Sequence, residues 1–130
     1  MAKRYKDWLA QAESDLEHAR KSVPMRDFNW ACFASQQAAE KALKAIYDFL
    51  GGEGWGHSVV KLVRELPSEH APAAAGLLDK AASLDKLYIP TRYPNGFAIG
   101  SAAEYYTEQE ALQAIAHAGD ILSFVKSQIR

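Results

Sequence analysis

This sequence predicts an all-α fold, an up-and-down bundle of four or five helices. Three observations lead there. Apolar residues recur at steps of three and four, no segment sustains the period-two alternation of a strand, and proline and glycine clusters cut the chain into helix-sized lengths. At 130 residues the chain suits one domain spanning 1–130, with a core that needs neither disulfide nor metal.

The first helix is read from Tyr5, Leu9, Ala12, Leu16, Ala19 and Val23, which share one stripe, while Lys6, Asp7, Glu13, Asp15, Glu17 and Arg20 face water. Pro24 ends it. The second starts near Asp27, a capping residue type, and runs to Leu50 before Gly-Gly-Glu-Gly-Trp-Gly. Its line of Ala31, Ala34, Ala38, Ala42, Ile46 and Phe49 is widened by Phe33, Ala39, Leu43 and Leu50. That width predicts burial on more than one side and a central place in the bundle. A short third helix has Val59, Leu62, Val63 and Leu66 inward, Ser58 as its cap and Pro67 as its stop. The fourth follows Pro72 with Leu77, Ala81, Leu84 and Tyr88 on one stripe. Pro90, Pro94, Asn95-Gly96 and Gly100 then mark a long loop, of the kind that is usually functional or disordered. Thr107 to Glu110 form a capping-box pattern that opens the last helix, whose core face is Leu112, Ile115, Ala118, Leu122, Val125 and Ile129.

Fifteen Lys and Arg against sixteen Asp and Glu leave a net charge of -1, so nucleic acid or an anionic membrane could be held only by a local patch. The single cysteine, Cys32, excludes an internal disulfide and reads as buried filler among apolar neighbours. No secretory run opens the chain, and no stretch approaches the roughly 20 apolar residues of a membrane span, so a cytoplasmic location is expected. His18, His57, His70 and His117 are scattered without metal-ligand spacing; neither metal nor cofactor is expected.

On a helical wheel Gln37, Glu40, Lys41, Lys44 and Asp48 gather in one sector of the second helix and read as its solvated face, with Gln37–Lys41 and Glu40–Lys44 as i,i+4 pairs. Ser35 and Gln36 fall among the apolar positions instead, where a polar group must find partners. His57 reads as a turn residue bonding nearby backbone rather than as a catalytic group. In the loop, Asp85 and Tyr88 lie one turn apart and precede Thr91, Arg92 and Tyr93. An arginine among hydroxyls and rings can hold a phosphate and stack a base. Alternatively, Asp85 pairs with Arg92 and the tyrosines pin the loop. Trp30 and Trp55 fit either core or interface.

Four pieces, in order, resemble minimal HEPN domains (higher eukaryotes and prokaryotes nucleotide-binding). They are Trp-x-x-Gln-Ala-Glu-x-Asp-Leu from Trp8 to Leu16, ACFASQQAAEKALKA on the second helix, Gly56-His57-Ser58, and LDKLYIPTRYP from Leu84 to Pro94. The resemblance covers nearly the whole chain. It implies a helical bundle similar to the C-terminal half of antibiotic nucleotidyltransferases, usually a homodimer, and often partnered with a minimal nucleotidyltransferase of the MNT type. Read with it, Ser35, Gln36, Glu40, Lys41, His57, Asp85, Tyr88, Thr91, Arg92 and Tyr93 are the candidate residues for binding a nucleotide, RNA or a partner. Some relatives are metal-free RNase toxins with Arg-x(4–6)-His at the head of the last long helix. Here Arg64 and His70 meet the bare spacing but straddle Pro67, and Arg92 has no histidine following it until His117. The expectation is therefore a non-catalytic module in a toxin–antitoxin-like pair; the alternatives are an RNase toxin or a ligand-free interaction domain.

Overall fold

A computed structural model describes residues 3–129, and among them there are helices and turns but no strand. The helices are α1 (Tyr5–Ser22), α2 (Phe28–Phe49), α3 (Val59–Arg64), the single turn α4 (Ala71–Ala74), α5 (Leu78–Asp85) and α6 (Glu108–Gln128). The predicted helical bundle is thus the observed fold. α2 is its centre and packs most extensively against α1 and α6, with α3 and α5 on its remaining side. Ala31, Ala38, Ala39, Ala42 and Ala45 are all fully buried, and such small side chains let neighbouring helices come close along its length.

α1 and α2 lie antiparallel. The Arg4 N–H donates to Asp48 at 2.6 Å near one end, and Lys41 Nζ donates to Asp15 at 2.6 Å further along. Their connection holds Arg26 at φ 62, in the left-handed region where a glycine would be usual. Asp27 precedes α2 as expected, but its side chain makes no capping hydrogen bond. Ser58 does cap α3, accepting from the Lys61 N–H at 3.1 Å. Thr107 and Glu110 form the predicted capping box of α6.

Two readings of helix and face are corrected. The fourth helix is divided into α4, a 3-10 turn at Ala75–Leu77 and α5, and it stops at Asp85. Tyr88 therefore lies in the following turn rather than on a helical stripe. Leu112 is 50% exposed, because α6 turns Ala111, Ala114, Ala118, Ile121 and Val125 toward α2. The long loop is built from closed turns: 3-10 turns at Pro94–Gly96 and Ala102–Glu104, and a stack of Phe97 on Tyr105 with centroids 4.3 Å apart and planes 5° apart. Among the described residues no helix is long and apolar enough to cross a membrane.

Candidate functional site

The sector of α2 read as solvated is a partly covered polar seam, in which Gln37, Lys41, Lys44 and Asp48 are half-buried. Glu40 is only 3% exposed. Its carboxylate receives Lys44 Nζ at 3.0 Å, Gln36 Nε2 at 3.3 Å and the His57 ring Nδ1 at 3.2 Å. Lys41 pairs with Asp15 on α1 rather than with Gln37, whose amide donates to Gln36 Oε1 at 2.8 Å. The wheel failed here because α1 and residues 51–58 close over a face that periodicity leaves to water. Gln36, fully buried, also donates to the His57 carbonyl at 3.1 Å. Ser35 is fully buried too, and its hydroxyl donates to its own helix at Ala31 O, 2.8 Å away. That is a packing role.

The segment leading to His57 is positioned by close backbone approach. A Cβ on Gly54 would lie 3.1 Å from Leu62, 3.2 Å from Tyr47 and 3.3 Å from Lys44, so the glycine lets the chain pass tightly against these side chains of α2 and α3. Gly56 then turns the chain at φ 82. His57 is not a turn residue bonded only to backbone. Its ring Nδ1 lies 3.2 Å from the Glu40 carboxylate, and the ring stacks on Tyr88 at 4.7 Å and 19°.

Asp85 does not pair with Arg92. It crosses to α3, where Oδ1 accepts the Val59 N–H at 2.6 Å and Oδ2 accepts the Val60 N–H at 3.1 Å and the Ser58 hydroxyl at 2.9 Å. Three donors at a helix start hold a carboxylate better than one half-buried arginine would. Thr91 is fully buried; its hydroxyl donates to Leu87 O at 2.7 Å, and its carbonyl accepts from Asn29 Nδ2 on α2 at 3.0 Å. Asn29, which sequence reasoning passed over, is thus the clamp that seats the loop.

The clamp brings Arg92 onto α2. Arg92 Nε and Nη2 donate to Tyr88 O at 3.1 and 2.8 Å, and the guanidinium carbon lies 4.2 Å from the Phe33 ring centroid, 5.1 Å from Tyr88 and 5.3 Å from Tyr93. Among the described residues it has no carboxylate partner. Trp30 meets Phe33 edge-on at 6.1 Å. Trp30 and Tyr93 are each 48% exposed, and the His57 side chain is 56% exposed. An unpaired cation thus sits within a row of rings open to solvent, suited to one phosphate and to flat, unsaturated groups. Of the candidates, His57, Tyr88, Arg92 and Tyr93 share this surface. Gln36, Glu40, Asp85 and Thr91 brace it from beneath, and Lys41 binds α1. Phe33 and Trp30 were read only as apolar breadth and as core or interface; their i,i+3 spacing on α2 was the available signal.

His70 is buried, with Nδ1 2.7 Å from Gln128 Oε1 on α6 and Nε2 3.5 Å from Glu69, too far for a good hydrogen bond. Cys32 is fully buried; desolvation first, then the Glu110 charge, push its thiol up to about 12, which excludes a thiolate nucleophile.

A HEPN domain model matches residues 5–128, and the chain belongs to that family. It is similar to "Putative toxin MJ1304" of Methanocaldococcus jannaschii, 26% identical over 95% of this chain and 86% of that protein. Among solved structures it is similar to TT1696 from Thermus thermophilus, 45% identical over 98% and 99% of the two chains with a TM-score of 0.93. It is also similar to ST0689, an archaeal HEPN homologue, 44% identical over 99% and 100% with a TM-score of 0.83. An HEPN domain protein from Thermotoga maritima is 33% identical over 94% and 96%, with a TM-score of 0.69.

Proposed function

We propose that this HEPN protein is a non-catalytic module that binds a nucleotide or polynucleotide at the Arg92 surface. It acts as a homodimer and as the partner subunit of a minimal nucleotidyltransferase, in a toxin–antitoxin-like pair. The observation that carries the reading is Arg92 itself, a guanidinium with no carboxylate partner among the described residues, braced by the Tyr88 carbonyl and lying against Phe33. A phosphate is the complementary charge, and the neighbouring rings offer faces to a base. The relative bearing a toxin's name supports a paired role. Titration calorimetry with ATP, GTP, CTP and short oligonucleotides tests binding: Arg92→Ala should abolish a response seen with the native chain, and a flat response throughout overturns the reading. Pull-down from the native host should recover a nucleotidyltransferase-like chain, and size-exclusion with light scattering should give twice the chain mass.

One arrangement favours a second reading, a metal-free RNase. His57 and Arg92 flank Tyr88 on one surface, so a proton-transfer group and a cation lie near each other. Labelled RNA incubated with EDTA decides it: cleavage lost in both His57→Ala and Arg92→Ala establishes the enzyme, and intact RNA retires it.

A further inference from the structure

We infer that the depression between Trp8 and Trp55 is a docking site for an arginine side chain carried on an extended segment of a partner protein. It shares no residue with the Arg92 surface and goes beyond the nucleotide-binding reading above.

An indole displayed in water is the first support. Trp55 is 72% exposed, yet the backbone on both sides of it is fixed: Gly54 passes tightly against Leu62, Tyr47 and Lys44, and Gly56 turns the chain at φ 82. A large ring held out on a pinned loop is the type of group that anchors a partner. Trp8, half-buried on α1, lines the same depression of about 360 Å³, and so do Asp48 and Glu53.

Charge sets the chemistry of the occupant. α2 ends at this depression with the negative end of its dipole, and its last turn holds Asp48 and no basic residue. The Asp48 Oδ2 takes the Arg4 N–H, while Glu53 makes no ion pair among the described residues. Lys44 is the cation in the lining, 5.8 Å from the Trp8 ring centroid, and Glu40 at 3.0 Å already answers its charge. The excess is therefore negative, which repels a phosphate and attracts a cation. Two indoles narrow the choice to a cation that stacks. A guanidinium is planar and weakly hydrated, lies flat on a ring and meets a carboxylate with paired N–H groups; an ammonium is a strongly hydrated point charge.

The relief around Trp55 favours a chain over a free small cation. Trp55 and Glu53 also line a second hollow of about 80 Å³ with Tyr47 and Leu62, where Lys61 and Glu65 offset each other. The indole is thus a ridge between two hollows. One small ion cannot fill both, whereas successive side chains of an extended segment can.

The test uses the full chain and a fluorescein-labelled octapeptide of alternating arginine and glycine, followed by anisotropy. Competitors are the matching lysine and citrulline octapeptides, the latter keeping the shape without the charge, together with argininamide and spermidine. The arginine peptide should bind saturably, and the citrulline peptide should compete at least about tenfold more weakly, with the lysine peptide between them. Trp55→Ala should weaken the arginine peptide about two- to thirtyfold, the range of one cation–π contact. Glu53→Gln should weaken it about two- to fivefold. Leu112→Ala, at an exposed apolar position on α6, should leave it unchanged. No saturable binding, equal competition by the citrulline peptide, or undiminished binding to both Trp55→Ala and Glu53→Gln overturns the site. A lysine peptide competing equally overturns the guanidinium, and argininamide or spermidine competing as well as the arginine peptide overturns the segment. Light scattering checks another occupant: Trp55→Ala converting a dimer to a monomer overturns the partner segment in favour of a second copy of this chain. Nucleotide calorimetry on Trp55→Ala should match the native chain, so failure here and failure of the Arg92 reading are seen separately.

Discussion

Glu40 carries a carboxylate into the seam between α2 and residues 51–58, where Lys44, Gln36 and His57 converge on it. Removing it strands a largely covered ammonium and a buried amide. Glu40→Ala should therefore cost about 3 kcal/mol in urea unfolding, whereas Glu40→Gln, which keeps an acceptor, should cost about 1–2 kcal/mol. Cys32 sets a pH dependence. Its thiol ionises near 9.0 when exposed and is raised to about 12 by burial and then by Glu110. Because the folded pKa is the higher one, the stabilisation is complete below pH 9 and is lost as pH climbs toward 12. The loss is at most about 1.4 kcal/mol per pH unit. Burial also raises the Tyr47 and Tyr106 hydroxyls, which act in the same direction. Unfolding curves at pH 8 and 10.5 should separate more for the native chain than for Cys32→Ala, and Ellman's reagent should leave the folded thiol untouched.

Among the elements, α3 depends most on a neighbour. Six residues are too few to hold a helix alone, and its first N–H groups are met by Asp85 from α5 and by its own Ser58. Asp85→Ala should cost about 2 kcal/mol and speed amide exchange at residues 59–64, with Asp85→Asn intermediate. The same carboxylate illustrates what sequence reading missed. Asp85 and Arg92 are near in sequence and opposite in charge, which suggests a pair. Yet α5 ends so that Asp85 faces the start of α3, while Arg92 folds back onto the turn it closes. Asn29 was invisible for a related reason: its partner, the Thr91 carbonyl, is backbone 62 residues away and leaves no trace in side-chain chemistry.

Across the whole molecule, close packing follows from the alanines of α2. Ala42 is fully buried in this central helix, so Ala42→Leu should overpack the core and lower stability by about 1–3 kcal/mol in thermal or urea unfolding, with helical content retained. The helical bundle, the central place of α2 and the caps at Ser58 and Thr107 were all legible beforehand, because each depends on local periodicity or on residues three positions apart. The candidate site was legible in part. Arg92, Tyr88, Tyr93 and His57 were singled out and do share a surface; Ser35 and Thr91 were singled out with them and are buried supports.

The sequence by itself determined where the helices run, which stripes are apolar, and that a tyrosine–arginine loop follows the fourth helical stretch. These are properties of spacing along the chain. Only the tertiary structure decided that Glu40 is covered, that Asp85 serves α3, and that Arg92 rests on Phe33 with no carboxylate partner among the described residues. Those outcomes depend on which distant backbone and side-chain groups arrive at a given face once the bundle closes, and a polar helical face reads alike whether water or another segment covers it.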